Sequence, residues 1–237
     1  MPHATTLERY HEVMSSDGFV SDAAQLAAVE RLNDCQQALQ QPETSGVTQG
    51  VYLWGPVGRG KTWLMDIFYR SLVVPARRQH FHHFMRWVHM RLFQLNGTAD
   101  PLKALARELS ESVRVLCFDE LFVGDIGDAI ILGRLFQEMF EQGVVIVATS
   151  NQPPDQLYAD GFNRERFLPA IGAIEQHMQI IKVSRSMGAQ IIASVPVWRS
   201  NVIGSVIRGT RERCARCSTG GRLGRLRLSP CPWAVAC

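Results

Sequence analysis

The sequence predicts an α/β fold in which helices sandwich a parallel sheet, followed by an atypical C-terminal tail. Three observations predict it. Short apolar runs of strand type alternate with stretches of helical periodicity, as in successive βαβ units. The first run ends at Gly55 in a glycine-rich loop that opens straight into a helix. Later runs end in acidic or amide residues, Asp119-Glu120 and Asn151, as strands do where their carboxyl ends line a ligand crevice.

From Ser21 the chain reads as an amphipathic helix, capped by Ser21 or Asp22, with Leu26, Val29, Leu32 and Leu39 on one face. Gln-rich polar sequence with Pro42 and Gly46 separates it from Val51-Tyr52-Leu53-Trp54, a run suited to a buried parallel strand. Trp63 to Tyr69 forms the next helix. His80 to Phe84 reads as a second strand, running into a helix through Leu92 and Leu95. Asp100 and Pro101, a cap followed by first-turn proline, open a helix that reaches about Ser112. Val113 to Phe118 is a third strand. Asp125 caps a helix carrying Ile130, Leu132, Leu135, Phe136, Met139 and Phe140, closed by Gly143. Val144 to Ala148 is a fourth strand, residues 164–176 are helical despite Pro169, and His177 to Val183 is a fifth strand. Right-handed crossovers then put helices on both sheet faces.

A length of 237 residues suits one ordinary domain, with or without an appendage, and 46% hydrophobic residues suit a globular core. No apolar run approaches the roughly 20 residues of a membrane span. The N-terminal stretch contains acids and no apolar core of a signal peptide, so a cytoplasmic, bacterial-type protein is expected. The net charge of +3 hides an asymmetry. Residues 1–182 hold 16 Lys and Arg against 21 Asp and Glu, a balance of −5. Residues 183–237 hold nine Arg, no Lys and only Glu212, a balance of +8. Cys214, Cys217, Cys231 and Cys237, four of the six cysteines, also fall there.

Gly55-Pro56-Val57-Gly58-Arg59-Gly60-Lys61-Thr62 satisfies the phosphate-binding pattern G-x-x-x-x-G-K-[ST] between a strand and a helix. Its glycines let backbone N–H groups converge on an anion, and the helix adds its positive end. Lys61 is expected to bridge the β- and γ-phosphates, with the Thr62 hydroxyl on Mg²⁺. Asp119, at a strand's carboxyl end, can hold the same Mg²⁺ through water, and Glu120 can orient and deprotonate the attacking water. Asn151 can touch both the γ-phosphate and that water; an Asx-turn before Pro153-Pro154 is the alternative. Arg164 and Arg166 flank Glu165, and either could complete a neighbouring subunit's site as an arginine finger or sit in a solvated ion pair. His80 and His82 would share a strand face, but no carboxylate or cysteine cluster joins them and His83 as a metal site.

Four segments together resemble one family: VYLWGPVGRGKTWLMDIFY, RQHFHHFMRWVH, VLCFDELFVGDIGDAIILGRLF and VVIVATSNQPPDQLYADGFNRERFLPAI. They are similar to the ZapE family, bacterial cell-division ATPases of the AAA+ class, and DAAQLAAVERL resembles that family's opening helix. The likeness runs from about Tyr10 to Val183, roughly three quarters of the chain. It implies an AAA+ type P-loop NTPase fold, Mg²⁺-dependent ATP hydrolysis, a homo-oligomer, and association with FtsZ at the constricting division ring. Residues 55–62 match the family's Walker A, Leu116 to Glu120 its Walker B, and Asn151 its sensor-1 position. The segment 163–167 matches the arginine-finger region, with Arg166 preferred to Arg164.

The resemblance, together with the change of composition near Lys182, divides the chain into an N-terminal helical segment at 1–50, an ATPase core at 51–183 and an Arg- and Cys-rich tail at 184–237. Beyond Val183 the family continues with an Asp-Tyr-Arg segment, further core and a helical lid. Here the stretch reads instead as a frame-shifted product of a GC-rich gene. Gln190 to Ser194 can be encoded by CAG-ATT-ATC-GCG-TCG, which contains GAT-TAT-CGC in a shifted frame, and that is Asp-Tyr-Arg. A genuine basic tail is the alternative. Rival functions are a nucleic-acid-associated P-loop ATPase, a nucleotide-dependent interaction module without turnover, and a small-molecule kinase. The acidic balance of residues 1–182 weighs against nucleic acid.

Overall fold

In the computed structural model, the described residues are 4–16, 22–41 and 48–184, and all fall within one compact unit, Met1–Gln190. Residues 185–237 lie outside them, and with them the cysteine cluster and the expected basic tail. Among the described residues five strands form one parallel sheet. They are β1 (Gly50–Trp54), β2 (Ala76–His80), β3 (Val115–Asp119), β4 (Val145–Ser150) and β5 (Met178–Lys182), in the order β2-β3-β4-β1-β5. Seven α-helices accompany them: α1 (Thr6–Ser16), α2 (Ala23–Gln40), α3 (Lys61–Ser71), α4 (Phe81–Gln94), α5 (Pro101–Ser112), α6 (Ile126–Glu141) and α7 (Leu168–His177). None of these helices is long and apolar enough to cross a membrane.

The caps act as the residue types dictate. Asp22 accepts from the Ala24 N–H at 3.0 Å, and Asp125 accepts from the Asp128 N–H at 2.9 Å. Asp100 accepts from Lys103 at 3.3 Å, with Pro101 supplying the first turn. Strand alternation then sends side chains to two different cores. Val51, Leu53, Val115, Cys117, Val145 and Val147 pack with Tyr10 of α1, Leu32 of α2 and Leu64 and Phe68 of α3. On the other face Phe118 meets Phe84 at 4.7 Å between ring centroids and Phe81 edge-on at 5.7 Å. The first helix, α1, is held by a buried polar clasp. Gln36 Oε1 accepts from the Thr6 N–H and hydroxyl at 2.7 and 2.8 Å, and its Nε2 donates to the Ser71 carbonyl at 2.9 Å.

Two sequence expectations need correction. The second strand lies at Ala76–His80, not at His80 to Phe84. Its residues, ARRQH, are mostly polar because β2 is an edge strand of intermediate burial. The apolar residues Phe81, Phe84, Met85 and Val88 instead repeat at helical spacing and form the buried face of α4. His80 and His82 therefore do not share a strand face. The stretch 164–176 is likewise split into a 3-10 turn at Arg164–Arg166 and α7, with Pro169 in the first helical turn, where its missing N–H is not needed.

Burial also predicts a pH response. Cys35 is 4% exposed, and burial, with Asp34 adding to it, pushes its thiol up to about 12. Such a group favours the fold fully below the unfolded thiol pKa of about 8.5, and that contribution is lost as pH rises from there toward 12. The melting temperature should therefore fall between pH 8.5 and 10.5, and Cys35→Ala should shallow that fall; an unchanged slope would contradict the assignment to Cys35.

Candidate functional site

Because every strand is parallel, the carboxyl ends of β1, β3 and β4 share one edge of the sheet. β1 runs into the glycine-rich loop and α3 leaves it. Gly60 caps α3 with φ of +80°, a conformation that glycine adopts without strain, and Gly58 has φ of +78°. The Gln25 amide of α2 donates to the Arg59 carbonyl at 3.1 Å and braces this turn.

Lys61, the first residue of α3, is 7% exposed and lies folded across the loop. Its ammonium donates to the carbonyls of Gly55 and Pro56 at 2.6 and 2.8 Å, and to Asn151 Oδ1 at 3.2 Å. Burial, and then Arg59, lower its pKa from the ordinary lysine value, while Glu120 opposes them. The amide expected at the end of β4 thus meets the loop lysine directly. Behind it, the Tyr52 hydroxyl of β1 donates to the Gln152 carbonyl at 2.9 Å and pins the segment after Asn151.

Asp119 closes β3 and is 5% exposed, whereas the next residue, Glu120, is exposed. Glu120 has φ of 56°, a conformation uncommon for a residue with a side chain. Two bonds to β4 hold it there: the Glu120 N–H donates to Thr149 Oγ1 at 3.1 Å, and the Leu121 N–H to the Thr149 carbonyl at 2.7 Å. The reversal turns the Glu120 carboxylate away from the sheet toward solvent, with His80 Nδ1 4.0 Å from Oε2.

Sequence reading missed Arg78. From β2 its guanidinium grips the Asp119 carboxylate, with Nε 2.7 Å from Oδ2 and Nη2 3.2 Å from Oδ1. Burial pulls the Arg78 pKa down, but Asp119 and Asp66 outweigh it and hold the group above the ordinary arginine value. Thr149, Tyr52 and Gln25 were missed as well. A charged residue inside a strand is the one sequence signal that could have pointed to Arg78.

The arginine turn stands apart. It packs on α6 and α7. Arg164 Nη2 donates to the Asp155 carbonyl, which ties it to its own subunit. Arg166 is exposed and its guanidinium makes no hydrogen bond or ion pair among the described residues. The turn is seated on Gly133 of α6, where a Cβ would come 2.7 Å from the Arg166 carbonyl oxygen. In an open helix Gly→Ala gains about 1 kcal/mol. Gly133→Ala should instead lose about 1–3 kcal/mol by overpacking, read as a lower melting temperature. A gain in stability would show that the turn can move off α6.

His80, His82 and His83 lie ring to ring, His82 and His83 with centroids 4.0 Å apart. Among the described residues no group of three or more His, Cys, Asp or Glu could hold a metal ion by itself. The Thr62 hydroxyl and Asp119 carboxylate are hard oxygen donors of the kind Mg²⁺ takes alongside substrate phosphates, so the residues fit that ion. The loop fits a phosphate too: at Gly58 a Cβ would meet nothing within 4 Å, so the turn opens to solvent.

Comparison with known proteins agrees with this geometry. The AFG1-like ATPase family model matches residues 4–190. Cell division protein ZapE of Escherichia coli (strain K12) is 40% identical over 228 residues, which cover 84% of this chain and 60% of that protein. The chain thus spans about 60% of the length of the curated relatives first matched. Among solved structures, DnaI aligns with a TM-score of 0.54 at 18% identity, over 72% of this chain and 87% of that one. Domain III of the Thermotoga maritima replication initiation protein DnaA aligns with a TM-score of 0.52 at 16% identity, over 71% and 65% of the two chains. At such identities the likeness is one of fold, a parallel sheet flanked by helices.

Proposed function

Since the chain belongs to the AFG1-like ATPase family, we propose that it binds ATP with Mg²⁺ at residues 55–62 and hydrolyses it to act on FtsZ in bacterial cell division. The observation that carries the reading is the 3.2 Å contact from Lys61 to Asn151, which brings two strand ends to one point beside Glu120. Lys61 exchanges its loop carbonyls for the β- and γ-phosphates of the nucleotide. Thr62 and Asp119 hold Mg²⁺, which when bound offsets phosphate charge. Asn151 orients the attacking water, and Glu120 accepts its proton. Arg166, exposed and unpaired among the described residues, completes the site of a neighbouring copy; Arg164 shapes the turn. The division role and FtsZ as partner rest on similarity to a protein named for cell division, and they imply work at the division site from the cytoplasmic side.

The test uses the purified full chain, with ATP binding, phosphate release and FtsZ assembly measured together. Mg²⁺-dependent phosphate release and altered FtsZ polymers are expected. Release of phosphate with FtsZ polymers unchanged would remove FtsZ as partner; no nucleotide binding would remove the site.

A further inference from the structure

Arg78 has no role in the mechanism above, yet it bridges three elements of the site. It sits in β2 beside Cys117 of β3, on the sheet face covered by α3. Besides its two bonds to Asp119, it donates through Nη1 to Asp66 Oδ1 at 2.8 Å and through Nη2 to the Thr62 carbonyl at 3.3 Å. One planar group therefore links the end of β3 to the turn of α3 that carries the Thr62 hydroxyl. Asp66 is itself paired with Arg70 at 2.9 Å, so the bracket is anchored at its far end.

Burial decides how this pair acts. An exposed ion pair is worth little and orients nothing. Here the Asp119 side chain is 8% exposed and that of Arg78 18%, so the contact is shielded and two-pronged. A bidentate guanidinium sets the plane of its carboxylate as well as its charge, which a lysine ammonium cannot do.

We propose that Arg78 is a positioning residue for the metal side of the nucleotide site: it holds Asp119 against the α3 turn that bears Thr62, and so sets the oxygen donors that take Mg²⁺ with ATP. The inference rests on the Mg²⁺–ATP reading of this site. Arg78 acts through Asp119 and touches none of the reacting atoms.

The experiment is equilibrium binding of a fluorescent ATP analogue to the full chain, in Mg²⁺ and in EDTA. The ratio of the two affinities is the readout. Arg78→Gln should lower that ratio about tenfold or more, the usual cost of removing a group that orients a metal ligand, while affinity in EDTA stays within about twofold. Asp119→Asn should lower the ratio similarly, and Arg78→Gln should add little to it in that background. Arg78→Lys, which keeps the charge and serves if the glutamine variant fails to fold, should fail to restore the ratio. A full ratio in Arg78→Lys, or equal losses in Mg²⁺ and EDTA, would overturn the assignment to Arg78. No Mg²⁺-dependent binding by the unmutated chain would overturn the nucleotide-site reading and this inference with it.

Discussion

Glu120→Gln is expected to bind ATP at least as tightly as the parent chain and to turn it over about 10²–10⁴-fold more slowly. The substitution keeps size and hydrogen-bonding reach but removes the proton acceptor. The backbone should hold, because Glu120 is fixed in its left-handed conformation by main-chain bonds to Thr149 that glutamine makes equally well. Binding should not weaken, since the carboxylate is exposed and repels a γ-phosphate. Phosphate release under single-turnover conditions, beside nucleotide affinity, checks both halves. Turnover equal to the parent's would take Glu120 out of the reaction.

Lys61→Ala should fail earlier, at binding. The ammonium is the one side-chain cation in contact with both the loop carbonyls and Asn151 among the described residues. Two charge-assisted bonds to phosphate, at about 1.5–3 kcal/mol each, predict a loss of roughly a hundredfold or more in ATP affinity. In the nucleotide-free chain the substitution also leaves the buried Gly55 carbonyl without its donor, so the melting temperature should fall as well. Titration calorimetry and thermal melting separate the outcomes. Affinity within a few-fold of the parent would show that backbone N–H groups alone hold the phosphates.

Elements with a periodic apolar pattern were legible before any coordinates. The faces of α2 and α6, the capping by Asp22, Asp100 and Asp125, and the buried strands β1, β3 and β4 all lie where pattern and cap chemistry put them. The two errors have separate causes. β2 is an edge strand with few apolar residues, so the nearest apolar residues, which belong to α4, drew the strand four residues too far along. Pro169 marks a helix start rather than a strained interior, a distinction that depends on where the preceding turn ends.

At the candidate site, the sequence by itself determined which residue types stand together: the glycine-rich loop with Lys61 and Thr62, and acidic and amide residues ending apolar strands, are recognisable by type and spacing. Strand order it did not determine. Only the tertiary structure decided that β2 lies beside β3, which brings Arg78 onto Asp119 from 41 residues away. It also decided that Glu120 is turned outward by Thr149, and that Gly133 seats the arginine turn with Arg166 exposed and Arg164 tied down. The physical reason is that periodicity and caps are local, whereas pairing across a parallel sheet is set by how apolar faces on many elements are buried together. Residues that orient others through such pairing leave little trace in a single sequence.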